Sequence, residues 1–175
     1  MNERRVDPDA ERPSFLVDGM LGALARHLRM LGFDAEYCRQ CTMETALERA
    51  AREGRWFLTR QDMVGLSTPK ARILRLLDDF PHLQVLQVLR SIPAKADESR
   101  WFTRCLLCNR SLEDLQWEEA RPFVPDHIAQ THRHFRRCPS CTRVFWPGTH
   151  SLRMRRTMEQ WVEQLTEIKA ERSDR

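Results

Sequence analysis

Residues 15–33 read FLVDGMLGALARHLRMLGF, and the pattern in this stretch decides the architecture. Phe15, Leu16 and Val17 form a short apolar run that suits a strand buried on both faces of a sheet. Asp18 and Gly19 end the run. Apolar residues then recur at Leu21, Leu24, Ala25, Leu28 and Leu31 with helical spacing, while Arg26 and Arg29 point away from that face. Asp18 thus stands where a strand hands over to a helix, the edge of an open α/β sheet at which ligands bind. The simpler role for a carboxylate there is to cap the helix.

The same alternation continues along the chain. Gly32 is a helix stop, residues 34–37 make a second strand, and Thr42 caps a second helix whose Met43, Ala46, Leu47, Ala50 and Ala51 share one face and which Gly54 ends. Trp56, Phe57 and Leu58 form a third buried strand, followed by the polar Thr59-Arg60-Gln61-Asp62. The pair Thr68-Pro69 predicts the start of a helix with Ile73, Leu76, Leu77 and Phe80 on one face, closed by Pro81. Residues 83–89 then read as a fourth strand. Strands alternating with helices predict an α/β fold, a parallel sheet flanked by helices. The expected organisation is a tail over residues 1–13, an α/β domain over 14–92, a ribbon over 100–150, and a C-terminal helix with its tail over 151–175. In that last segment Met154, Met158, Trp161, Leu165 and Ile168 form a stripe suited to docking on the main domain.

Composition narrows the class. An apolar fraction of 41% and a charged fraction of 31% describe a soluble globular protein, and no apolar run is long enough to span a membrane. The polar N-terminus lacks the core of a signal peptide, so a cytoplasmic location is expected. Of the 29 basic residues 26 are Arg, the count of 29 less Lys70, Lys95 and Lys169. Their placement is more telling than their number: between His127 and Met158 stand seven Arg and no Asp or Glu, a local basic field that suits phosphate.

The six cysteines fall into three C-x-x-C pairs. Cys105-x-x-Cys108 and Cys138-x-x-Cys141, separated by 29 residues, have the spacing of a closed tetrahedral zinc site. A closed site leaves no position for a reacting water, so this zinc is expected to fold its segment, with Trp117, Phe123 and Phe135 covering the short strands. Cys38-x-x-Cys41 has no partner pair and lies just before the second helix. It reads as a chance occurrence at a strand end rather than a redox motif.

In a parallel sheet Glu44, in the first turn of the second helix, and Asp62, after the third strand, arrive at the edge that carries Asp18. Three carboxylates crowded together demand a hard cation, and Mg²⁺ or Mn²⁺ prefers oxygen ligands and keeps water able to attack a phosphodiester. Arg26 and Arg60 are placed to hold substrate phosphates, and Arg136, Arg137 and Arg143 of the basic field to hold the strand. Each acid also has a plainer role, as helix cap or solvated loop residue.

The stretch FLVDGMLGALARHLRMLGFDAEY, the FLTR after the third strand, and the later RCLLCN, RCPSCTRVFWPGTH and RM together resemble the Mut-seven-C RNase domain family, over roughly residues 15–154. The resemblance implies a PIN-like nuclease domain with a zinc ribbon and metal-dependent RNase activity. It matches Asp18 to the first-strand acid and Glu44 to the acidic start of the second helix. Where the family pattern reads T-R-D, this chain has Thr59-Arg60-Gln61-Asp62, so the third acid is displaced by one residue or lost, and Gln61 is a poor Mg²⁺ ligand. The expectation is a metal-dependent RNA endonuclease acting through Asp18, Glu44 and Asp62. The alternative is an RNA-binding protein of the same fold without catalysis. A purely structural zinc domain would leave the basic field unexplained.

Overall fold

A computed structural model describes residues 12–62 and 70–173, with side chains as far as Glu167. In chain order the first unit carries β1 (Phe15–Asp18), α1 (Gly22–Met30), β2 (Ala35–Cys38), α2 (Met43–Glu53), β3 (Trp56–Thr59), β4 (Arg72–Arg75) and α3 (Pro81–Ser91). The strands form one parallel sheet in the order β2-β1-β3-β4. The α/β expectation therefore holds.

Phe15, Leu16 and Val17 of β1 are fully buried, as a strand covered on both faces requires. On one face Leu16 and Phe57 pack with Ala46, Leu47 and Ala50 of α2. The caps of α2 follow the sequence: the Thr42 hydroxyl accepts from the Thr45 N–H at 3.3 Å, and Gly54 closes the helix at φ 66°. At the amino edge, Arg55 grips both Asp34 oxygens, at 2.8 and 3.1 Å, and Glu53 at 2.7 Å.

The fourth strand and its helix exchange places relative to the sequence reading. Arg72–Arg75 is the strand, and Pro81 opens a helix instead of closing one. Its fixed φ is preorganised for the first helical position. The run that follows keeps Val85, Leu86, Val88 and Leu89 buried at helical spacings, so burial of that stripe overrides the strand preference of valine. Buried Gln84 is satisfied by donating to the Asp78 and Asp79 carbonyls at 2.9 and 3.4 Å. Thr68 and Pro69 lie outside the described residues. Cys38 and Cys41, read as a chance pair, are joined in a disulfide.

The chain divides into two compact units: one ends at Ala25, resumes at Phe33 and runs to Lys95, and the other comprises Arg26–Gly32 and the chain from Ala96. The second half of α1 thus belongs with the C-terminal unit. There Arg29, expected to face outward, is only 5% exposed and donates to the Leu106 and Leu107 carbonyls at 2.9 and 3.0 Å. This unit holds an antiparallel sheet of β5 (Glu113–Leu115), β6 (Phe135–Arg137) and β7 (Val144–Phe145), with short helices α4 (Trp117–Ala120) and α5 (Asp126–Thr131) between its first two strands. Ala120, Val124, Ala129 and Phe135 make its small core. The long α6 (Thr149–Ser173) buries Met158, Trp161 and Leu165, with the Trp161 ring centred 5.0 Å from the His27 ring of α1 and tilted 57° to it. Ile168 of the expected stripe lies outside the described side chains. No helix among the described residues is long and apolar enough to cross a membrane.

Candidate active site and metal centre

The order β2-β1-β3-β4 reverses direction between β1 and β3, so their carboxyl ends flank the switch point where open α/β sheets bind ligands. Asp18 ends β1 and Thr59 ends β3. The Thr59 hydroxyl donates to Asp18 Oδ2 at 2.6 Å, and the Gln61 amide donates to the same oxygen at 3.0 Å. Thr59 is fully buried and its hydroxyl also accepts the Gln61 N–H at 3.1 Å, which sets the loop after β3. Asp18 therefore caps no helix. Its Oδ1 accepts no hydrogen bond among the described residues.

The turn after Asp18 is held by close approach. A Cβ at Gly19 would meet the Arg39 and Cys38 carbonyl oxygens at 3.0 and 3.1 Å, and the Tyr37 hydroxyl donates to the Gly19 carbonyl at 2.6 Å. A Cβ at Gly22 would likewise meet the Tyr37 hydroxyl at 3.1 Å. The glycines of the VDGMLG segment thus let the Asp18 turn lie flat against the end of β2.

The other expected site residues are more dispersed. Glu44 is exposed in the first turn of α2, and Asp62 is exposed beside Arg75 at 3.7 Å. Asp18, Glu44 and Asp62 do not meet within reach of one ion: among the described residues, the four cysteines are the only group of three or more such ligands that does. Arg60 is engaged by Asp79, Arg26 is exposed on α1, and Arg136 donates to Asp114 at 3.1 Å. Arg137 lies over the Phe123 ring, and Arg143 is exposed after the second cysteine pair. Thr59 and Tyr37 were not singled out by sequence. A threonine closing a fully apolar strand was the available signal, because a buried hydroxyl must find a partner.

The Cys105, Cys108, Cys138 and Cys141 sulfurs all lie within 4.8 Å of one another, with Cys105 and Cys141 3.7 Å apart. A tetrahedral Zn–S shell places sulfurs about 3.8 Å apart. The two halves repeat one geometry. The Cys108 and Cys141 N–H groups donate to the Cys105 and Cys138 sulfurs at 3.4 and 3.5 Å, and the residue after each pair, Asn109 or Thr142, takes a left-handed φ of 62° or 58°. Three of the thiols are poorly matched: burial pushes Cys105 up, a hydrogen bond with Cys141 and burial push Cys108 up to about 12, and the Arg143 N–H draws Cys141 down to about 7. A soft divalent cation such as zinc suits this donor set.

A parallel α/β domain with an acid at its switch point, continued into a four-cysteine module, is a recognisable class. The chain belongs to the Mut7-C RNAse domain family, whose model matches residues 13–158. No curated protein and no solved structure matches it.

Proposed function

We propose that this protein is a metal-dependent RNA endonuclease of PIN-like fold, acting in the cytoplasm, in which Asp18, Glu44 and Asp62 form the hydrolytic centre and the zinc ribbon holds the RNA. The observation that carries the reading is Asp18 itself. Its carboxylate stands at the switch point, with two donors fixing Oδ2 and Oδ1 left open. Mg²⁺ is held by as few as one or two carboxylates and otherwise by water, so Asp18 as the direct ligand, with Glu44 and Asp62 supporting bound water, fits the chemistry of these donors. When bound, Mg²⁺ or Mn²⁺ supplies Lewis-acid polarisation of the phosphoryl oxygen and a water of lowered pKa. Thr59 and Gln61 orient Asp18 through its Oδ2. Arg26 and Arg60 bind the phosphates beside the scissile bond, and Arg136, Arg137 and Arg143 bind the strand on the ribbon.

One observation favours a second reading. Gln61, in place of the family's third acid, spends its amide on Asp18, as expected of a domain that keeps the fold and binds RNA without cutting it. Incubating single-stranded RNA with the zinc-loaded protein in Mn²⁺, in EDTA and as Asp18→Asn separates the two. The nuclease reading predicts cleavage in Mn²⁺ alone. Cleavage that survives EDTA or Asp18→Asn contradicts the metal mechanism, and binding without cleavage in any condition supports the second reading.

A further inference from the structure

Phe123 is 61% exposed, although its place in the ribbon suggested a covering role. Its neighbours explain why. Ala120 and Val124 are buried in the core with Ala129 and Phe135, while Pro122 and Pro125 fix the backbone on either side. The ring is therefore held out in water by a turn that cannot easily fold it back.

Arg137, from the central strand β6, sets its guanidinium 5.5 Å from the centre of this ring. Two of its neighbours in the basic field already hold protein partners. Arg136 donates to Asp114 and to the Phe102 carbonyl, and Arg133 donates to the Ala129, Gln130 and His132 carbonyls. The Arg137 guanidinium has no hydrogen bond or ion pair among the described residues, so its five N–H donors are open. A guanidinium lying on a ring still presents those donors at its edge, in the fork that matches phosphate.

We infer that Phe123 and Arg137 form a binding step for one unpaired nucleotide of single-stranded RNA. The base stacks on the open part of the Phe123 ring, and the adjoining phosphate accepts from Arg137. The inference rests on the RNA-binding reading above and sharpens it to unpaired RNA, because a duplex keeps its bases stacked inside and offers this ring nothing to hold. Along the chain, residues 127–158 contain seven Arg and no acid, and the acids opposite them in the sheet, Glu113 across from Arg137 and Asp114 across from Arg136, come from β5.

The test is the affinity of the zinc-loaded full chain for a fluorescent single-stranded RNA dodecamer and for its blunt duplex. It is read by anisotropy at several salt concentrations without added Mg²⁺ or Mn²⁺, so that turnover plays no part. Phe123→Ala is expected to weaken single-strand binding about five- to hundredfold while leaving the salt slope unchanged, and Phe123→Trp to preserve it. Arg137→Ala is expected to flatten the slope by about 0.7. Unchanged affinity in Phe123→Ala, equal loss for single strand and duplex, or no RNA binding by the wild type each overturn the proposal, the first being the outcome if a protein partner covers this ring. Cleavage of the same dodecamer in Mn²⁺ is scored separately. Phe123-dependent binding without turnover removes the nuclease and leaves this site, and turnover with binding indifferent to Phe123 does the reverse.

Discussion

Gln61 and Thr59 donate to one and the same oxygen of Asp18, the amide at 3.0 Å and the hydroxyl at 2.6 Å. A neutral donor thus occupies the place beside Asp18 where a further acid would repel it. Gln61→Asp inverts this arrangement. Two carboxylates then face each other, and Mn²⁺ affinity is expected to rise at least tenfold, with cleavage rate rising alongside. A calorimetric titration checks it. An unchanged affinity would mean that residue 61 does not face the ion.

Thr59→Val removes the shorter of the two bonds at nearly constant volume and buries a methyl where the hydroxyl was. The expected cost is about 1–2 kcal/mol in denaturant unfolding, because Asp18 loses a donor and the Gln61 N–H its acceptor. A cost below experimental error would show that the Asp18 cradle contributes little to the fold.

At the opposite edge of the sheet, Arg55→Met leaves the Asp34 carboxylate, 28% exposed, without its bidentate partner, and a loss of about 2–3 kcal/mol is expected. Burial raises the Glu53 carboxyl, but hydrogen bonds from Arg49 and Arg55 outweigh it, and the net shift is below the ordinary value of 4.5. A depressed acid stabilises the fold above its unfolded value and loses that contribution as pH falls through the folded one. The stability difference between Arg55→Met and wild type, followed by urea unfolding, should therefore narrow below about pH 4.5.

In the four-cysteine module, the two cysteine turns differ at the left-handed position: Asn109 in one and the β-branched Thr142, at φ 58°, in the other. Asparagine tolerates this conformation far better, so Thr142→Asn is expected to stabilise the zinc-loaded ribbon by about 0.5–1 kcal/mol in thermal melts. One zinc per chain is expected by elemental analysis. Cys105→Ser should lose it, together with amide protection in β6 and β7.

How much of this was legible in the sequence depended on the length scale of each signal. The four-cysteine cluster was plain because spacing within a pair is local and cysteine chemistry is narrow. The β1–α1 handover and the caps of α2 were plain because periodicity and capping residues agreed. Residues 70–91 failed because proline both ends and begins helices, and because a run whose apolar residues are two Val and three Leu satisfies strand propensity and helical burial alike. The Arg29 contacts and the exposure of Phe123 were not legible at all. Both depend on what the distant chain packs against, which single-sequence periodicity does not encode.

The most direct test of the account is a calorimetric titration of Mn²⁺ into the zinc-loaded protein and into Asp18→Asn. The account predicts one Mn²⁺ bound per wild-type chain and none in Asp18→Asn, with zinc content equal in both. Identical isotherms, whether both show uptake or neither does, would contradict it.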